Sequence, residues 1–144
     1  METNTEKIAV IGGGSWATAI VKILTNTCSH VCWWVREPEI KEGVERSGRN
    51  PLFLSSASLD KEKITIANNL KEIVNQVDIL VLVVPSAYIY ASMEVLTPED
   101  FVGKIVVSAI KGIVPETMQT VTDFIIDKFN VTEDRCCVVC GPSH

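Results

Sequence analysis

The chain has 144 residues, 47% hydrophobic and 22% charged, which suits one globular domain with a real core. A net charge of −5 with no long basic run argues against nucleic acid or anionic membranes as partners. The longest apolar run, Ile79–Val84, falls far short of the ~18 residues of a membrane span, so no membrane insertion is expected. No signal peptide is visible at the polar N-terminus. Five cysteines, an odd count, fit a reduced, cytoplasmic setting better than a disulfide framework.

Short β-rich runs alternate with helix-length segments along the chain. Lys7–Ile11 predicts a first strand that runs into glycines. In Ser15–Thr25, Ala19, Ile20, Ile23 and Leu24 recur at helical spacing. Val31–Val35 predicts a second strand, with Trp33 and Trp34 on opposite faces as packing residues. Pro38 opens a short helix, and Gly48–Asp60 lacks periodicity. Ile64–Ala67 reads as a third strand, followed by a helix capped by Asn68 or Asn69 and running through Val74. The nearly all-apolar Asp78–Val84 suits a central parallel strand, with a helix capped by Ser86 after it. Lys104–Ala109 is a fifth strand, Pro115–Phe129 a helix with Met118, Val121, Thr122, Ile125 and Phe129 on one side, and Cys136–Cys140 a sixth strand.

Six strands joined by helical crossovers predict an α/β, Rossmann-type doubly wound, mostly parallel sheet of order 3-2-1-4-5-6. Ligands of such sheets sit beyond the carboxyl ends of the strands, so those loops are the ones to search. The loop after the first strand reads Gly12-Gly13-Gly14-Ser15-Trp16-Ala17. Gly12, Gly14 and Ala17 fit G-x-G-x-x-G/A between a strand and a helix, the context that the dinucleotide motif requires. Gly12 permits the turn, Gly14 lets a pyrophosphate approach the backbone, and Ala17 lets the helix pack closely on the sheet. The helix N-terminus offers the phosphates its unpaired N–H groups.

At the end of the second strand an acidic residue favours NAD, whereas an arginine accommodates the extra phosphate of NADP. Here Arg36 favours acceptance of NADP, and Glu37 after it keeps NAD possible. Cys137 and Cys140 form Cys-x-x-Cys without two further well-spaced ligands, so buried strand cysteines are expected rather than a metal site. His30 has no partner motif and reads as a surface or locally satisfied residue.

Five segments match one family in order: Gly12–Ala19, Val31–Glu37, Val83–Tyr88, Ser108–Ile113 and the terminal Gly141-Pro142-Ser143-His144. Across essentially its whole length, the chain resembles the N-terminal domain of bacterial NAD(P)-dependent glycerol-3-phosphate dehydrogenase. The resemblance implies an NADP or NAD cofactor (NADPH or NADH). It also implies interconversion of dihydroxyacetone phosphate and sn-glycerol 3-phosphate, which supplies phospholipid synthesis, and a homodimer at full length. By the same resemblance Ser15 and Trp16 line the pyrophosphate, Arg36 meets the adenosine ribose, and Phe53 replaces a family tyrosine. Lys111 stands in the active-site motif beside nicotinamide and substrate, while Gly141 and Ser143 mark the substrate end and His144 belongs to the same terminal motif.

Two departures are Phe53-Leu54-Ser55-Ser56, where the family commonly has Tyr-Leu-Pro-Gly, and Tyr90, where many members have arginine. The family's helical C-terminal domain, with its principal catalytic lysine, has no counterpart here. Residues 1–144 are therefore expected to be the cofactor half of a longer enzyme, inactive alone and with an exposed apolar docking face. The rival readings are a nucleotide-sensing module without catalysis and another two-domain hydroxy-acid dehydrogenase.

Overall fold

The computed structural model describes residues 6–139. Its sheet is built from β1 (Ile8–Ile11), β2 (Val31–Trp34), β3 (Ile64–Ala67), β4 (Ile79–Leu82), β5 (Ile105–Ser108) and β8 (Cys136–Val138). The order is β3-β2-β1-β4-β5-β8 and every pairing is parallel, which is the order expected for a doubly wound sheet. The crossovers carry α1 (Ser15–Thr27), α2 (Pro38–Ser47), α3 (Leu70–Val74), α4 (Ser86–Ser92) and α5 (Val121–Phe129).

Alternation along the strands divides the core into two layers. Val10, Val31, Trp33, Val35 and Ile66 pack against Ala17 and Val21 of α1 and Ile40 and Val44 of α2. Ala9, Ile11, Trp34, Leu80, Leu82 and Val106 face α3, α4 and α5 through Leu70, Ile73, Ile89, Phe124 and Phe129. Each fully buried large apolar side chain contributes roughly 1.5–3 kcal/mol. Trp33 and Trp34 thus serve opposite faces, and both indole N–H groups find carbonyls. Trp33 Nε1 donates to Gly12 O at 2.6 Å and Trp34 Nε1 to Asn68 O at 2.9 Å.

The helix ends follow local chemistry. Asn69 caps α3 by accepting the Glu72 N–H, and Gly48 closes α2 in the left-handed region at φ 74°. Pro85, not Ser86, is the residue before α4, and no side chain caps it. Ser86 stands inside the first turn because Pro85 already holds the extended conformation the N-cap needs.

The segment Pro115–Phe129 is not one helix. Ile113–Val114 (β6) and Gln119–Thr120 (β7) form a small antiparallel hairpin, and α5 begins only at Val121. Met118 is at φ 56°, exposed, and donates its N–H to Val114 O at 2.7 Å, closing the hairpin turn. Thr120 then caps α5 by accepting the Asp123 N–H. The cysteine expectation also changes: Cys137 is exposed and Cys136 half-buried, because β8 is an edge strand. Cys140 lies outside the described residues.

Candidate functional site

The glycine loop joins the carboxyl end of β1 to α1, and its glycines do different work. Gly12 donates to Trp34 O at 2.9 Å and accepts from Trp33, so β2 grips it from both sides. Its φ is 138°, and a Cβ there would lie 2.9 Å from the Val83 carbonyl carbon. No side chain fits that approach to β4's backbone. At Gly14 the opposite holds: φ is −78°, and a Cβ would meet nothing within 4 Å. Bareness at Gly14 serves the space in front of it and not the fold behind it. Ala17 is buried under the sheet, whereas Ser15 and Trp16 are exposed at the mouth, Trp16 by 52%. The first turn of α1 holds no acidic residue, so the positive end of its dipole is uncompensated from within the helix.

In front of the loop lies a cleft of about 240 Å³ lined by Gly12, Gly13, Gly14, Trp34, Arg36, Glu37, Phe53, Val84, Pro85, Tyr88 and Ser92. It shares Trp34, Arg36, Tyr88 and Ser92 with a neighbouring recess of about 540 Å³ that reaches Asn68, Asn69 and Leu70. Together they run from the glycine loop across the ends of β2 and β3. Arg36 hangs over the Tyr88 ring at 5.5 Å and sits 3.4 Å from a Glu37 carboxylate oxygen. Cation–π attraction at such an exposed site is worth about 0.5–1 kcal/mol, enough to bias the guanidinium across the cleft. Phe53 forms a lip opposite, held by buried Asn50, whose side-chain oxygen accepts the N–H groups of Leu52 (3.0 Å) and Phe53 (3.1 Å).

Gly12, Gly14, Arg36 and Phe53 therefore converge on one cleft, with Ser15 and Trp16 at the adjoining helix start. Lys111 does not line it. It is exposed, three residues beyond β5, on a loop whose Gly112 (φ 96°) packs near Ser86 Oγ at the start of α4. Gly141, Ser143 and His144 lie outside the described residues. Sequence reasoning missed Tyr88 and Trp34 as cleft walls and Asn50 as the anchor of the lip. Tyr88 could have been flagged, because it follows the proline that ends a central strand.

Other groups stand apart. His30 bonds Thr65 Oγ1 through Nε2 at 2.6 Å, on the edge away from the glycine loop. Tyr90 packs on Phe124, with the Lys128 ammonium 5.5 Å from its ring, so it belongs to the α4–α5 contact. Among the described residues, no three His, Cys, Asp or Glu side chains are grouped to hold a metal, and no helix is long and apolar enough to cross a membrane.

A family model described as the NAD-dependent glycerol-3-phosphate dehydrogenase N-terminus matches residues 7–144. A glycerol-3-phosphate dehydrogenase (NAD(P)+) of Nitratidesulfovibrio vulgaris strain Hildenborough is 37% identical over 137 residues, 95% of this chain and 41% of that protein. Its namesake in Moorella thermoacetica is 32% identical over 96% of this chain and 40% of its own. The chain thus spans about two fifths of the length of these curated relatives. The crystal structure of glycerol-3-phosphate dehydrogenase from Coxiella burnetii superposes with a TM-score of 0.83 at 21% identity, over 96% of this chain and 42% of that one. The corresponding Plasmodium falciparum structure gives 0.77 at 24% identity, over 92% and 40%. At those identities the superpositions speak for the fold, and the family match with its curated relatives speaks for kinship. The chain belongs to the NAD-dependent glycerol-3-phosphate dehydrogenase N-terminal family.

Proposed function

We propose that residues 1–144 are the dinucleotide-binding domain of a longer two-domain oxidoreductase that interconverts dihydroxyacetone phosphate and sn-glycerol 3-phosphate with NADH or NADPH. One observation carries the reading: the glycine loop is closed by backbone behind Gly12, open in front of Gly14, and faces a cleft walled by Arg36, Phe53 and Tyr88. In this reading Gly12, Gly14 and Ala17 shape the pyrophosphate seat. Ser15 and Trp16 border it at the helix N-terminus. Arg36 meets the adenosine ribose or its phosphate, with Trp34 and Tyr88 beside it, and Phe53 closes the opposite lip.

When bound, the nicotinamide supplies or accepts the hydride. In this reading Lys111 is the catalytic candidate on this chain: its loop follows the carboxyl end of β5, where a lysine ammonium can meet a carbonyl or phosphate oxygen of the substrate. The same reading assigns Gly141 and Ser143 to substrate binding. The proposal extends to a cytoplasmic homodimer at full length, acting in glycerol phosphate supply for lipids.

The test is a titration of the chain with NADH and, separately, NADPH, followed by tryptophan fluorescence, with a dihydroxyacetone phosphate reduction assay alongside. Saturable quenching by either nucleotide without turnover by the 144-residue chain, and with turnover by the longer protein, is the expected result. A folded chain that binds neither nucleotide, or a longer protein that does not reduce this substrate, would overturn the reading.

A further inference from the structure

Asn50 is fully buried, and its amide makes four hydrogen bonds to three separate pieces of chain. Nδ2 donates to Gly13 O at 3.0 Å and to Thr18 Oγ1 at 2.9 Å, while Oδ1 accepts from Leu52 and Phe53. Two backbone donors on one side and a carbonyl on the other admit only this orientation of the amide. Thr18, also fully buried, passes the chain on: its hydroxyl donates to Gly14 O at 2.8 Å.

The consequence lies on the other side of the loop. In a planar trans peptide the N–H points opposite to the C=O. Pulling the Gly13 carbonyl toward Asn50 turns the Gly14 N–H away from Asn50. The Gly14 carbonyl is held separately, by the Thr18 backbone N–H at 2.9 Å as well as by the hydroxyl, so the helix start itself orients the Ser15 N–H. Asn50 is buried behind the loop and does not line the cleft, whereas Gly13 and Gly14 do. At a helix start neither N–H has an intrahelical acceptor. We infer that Asn50, its amide steadied by the Thr18 hydroxyl, is a positioning residue: it aims the Gly14 N–H into the cleft as a donor for the phosphates and fixes the Phe53 lip in the same frame. The ligand named in this inference rests on the dinucleotide reading above.

Asn50→Asp keeps the shape and the acceptor for Leu52 and Phe53 but sets a carboxylate oxygen against the Gly13 carbonyl. Thr18→Val removes the acceptor that steadies the Asn50 amide and leaves the residue-18 N–H on the Gly14 carbonyl. The experiment compares the wild-type chain with both variants by NADH titration and by amide proton spectra of ¹⁵N-labelled protein. In the wild type without ligand, the Gly14 and Ser15 amides are expected to exchange rapidly with water and to move downfield as NADH saturates. With dispersed, folded spectra, Asn50→Asp is expected to lose about tenfold or more in NADH affinity, the effect of one misaligned charge-assisted hydrogen bond, and Thr18→Val to lose less. In Asn50→Asp the Gly14 amide should no longer show the wild-type downfield shift.

Protection of the two amides in the ligand-free wild type would overturn the inference whatever the cofactor. So would a folded Asn50→Asp that binds NADH within twofold of the wild type. A wild-type chain that fails to bind NADH overturns the dinucleotide reading instead, a result distinct from failure in the variants alone.

Discussion

Alanine at Gly12 and alanine at Gly14 should fail in opposite ways. At Gly12 the new Cβ would press on the Val83 carbonyl carbon at 2.9 Å, its oxygen at 3.0 Å and the Val84 nitrogen at 3.1 Å, with φ at 138°. The backbone conformation costs about 1–3 kcal/mol in a residue with a Cβ. Intrusion against backbone that cannot rotate aside adds roughly 1–3 kcal/mol. For a chain of this size that lowers Tm by about 6 °C at the least. At Gly14, φ is −78° and ψ −170°, ordinary extended backbone, and the Cβ enters open space. Stability should change by less than about 1 kcal/mol, because alanine adopts that conformation without strain. NADH affinity should fall by roughly tenfold or more, since the methyl occupies the place of a phosphate contact. Thermal unfolding by circular dichroism and an NADH titration on the same samples separate the two effects. Gly12→Ala melting within about 1 °C of wild type would refute the packing argument. Gly14→Ala binding NADH like wild type would refute the proposed phosphate seat.

Further expectations concern Arg36, Asp100 and the cysteines. Arg36→Ala should weaken NADPH by about tenfold and NADH by less, because only NADPH offers a phosphate to the fork-shaped guanidinium; equal losses would assign Arg36 to adenine alone. Burial works to raise the Asp100 carboxyl, but the Thr97 N–H, the Lys71 ammonium at 3.2 Å and the Thr97 hydroxyl together hold it below its ordinary 3.8. A depressed folded value means the stabilisation is complete above about pH 4 and is lost as pH falls through the folded value. Asp100→Asn keeps an oxygen for the Thr97 N–H but loses the charge that meets Lys71; it should cost about 1 kcal/mol at neutral pH and flatten the acid limb of the unfolding curve, and an unchanged limb would refute the assignment. Of the described thiols, exposed Cys137 should react first with a thiol reagent. Cys32, buried and with its thiol pushed up by that burial against a partly opposing Lys7, should react only on unfolding. Native-state labelling of Cys32 at the rate of Cys137 would contradict this placement.

What could be read from the chain was whatever depends on neighbours in sequence. The run into Gly12, the small residues at Gly14 and Ala17 and the apolar β4 run each state their own geometry, and the sheet order follows from them. The hairpin between β5 and α5 was hidden because Met118, Val121, Ile125 and Phe129 recur at helical intervals. The left-handed turn at Met118 leaves no periodic trace, although Thr120 three residues before Asp123 is a helix-start signal. Asn50, Trp34 and Tyr88 acquire their roles only when distant segments meet. Asn50 reaches Gly13 across 37 positions, and such a contact has no local spacing to betray it. Cys137 is exposed because β8 is the edge strand, a fact of sheet order and not of its apolar neighbours.

The most direct test of the account is a crystal structure of the chain with NADH bound. The pyrophosphate is expected over Gly14, Ser15 and Trp16, the adenosine beside Arg36 and Tyr88, and the nicotinamide toward the Lys111 loop. Nucleotide bound elsewhere, or lying in the cleft with its phosphates away from the glycine loop, would contradict it.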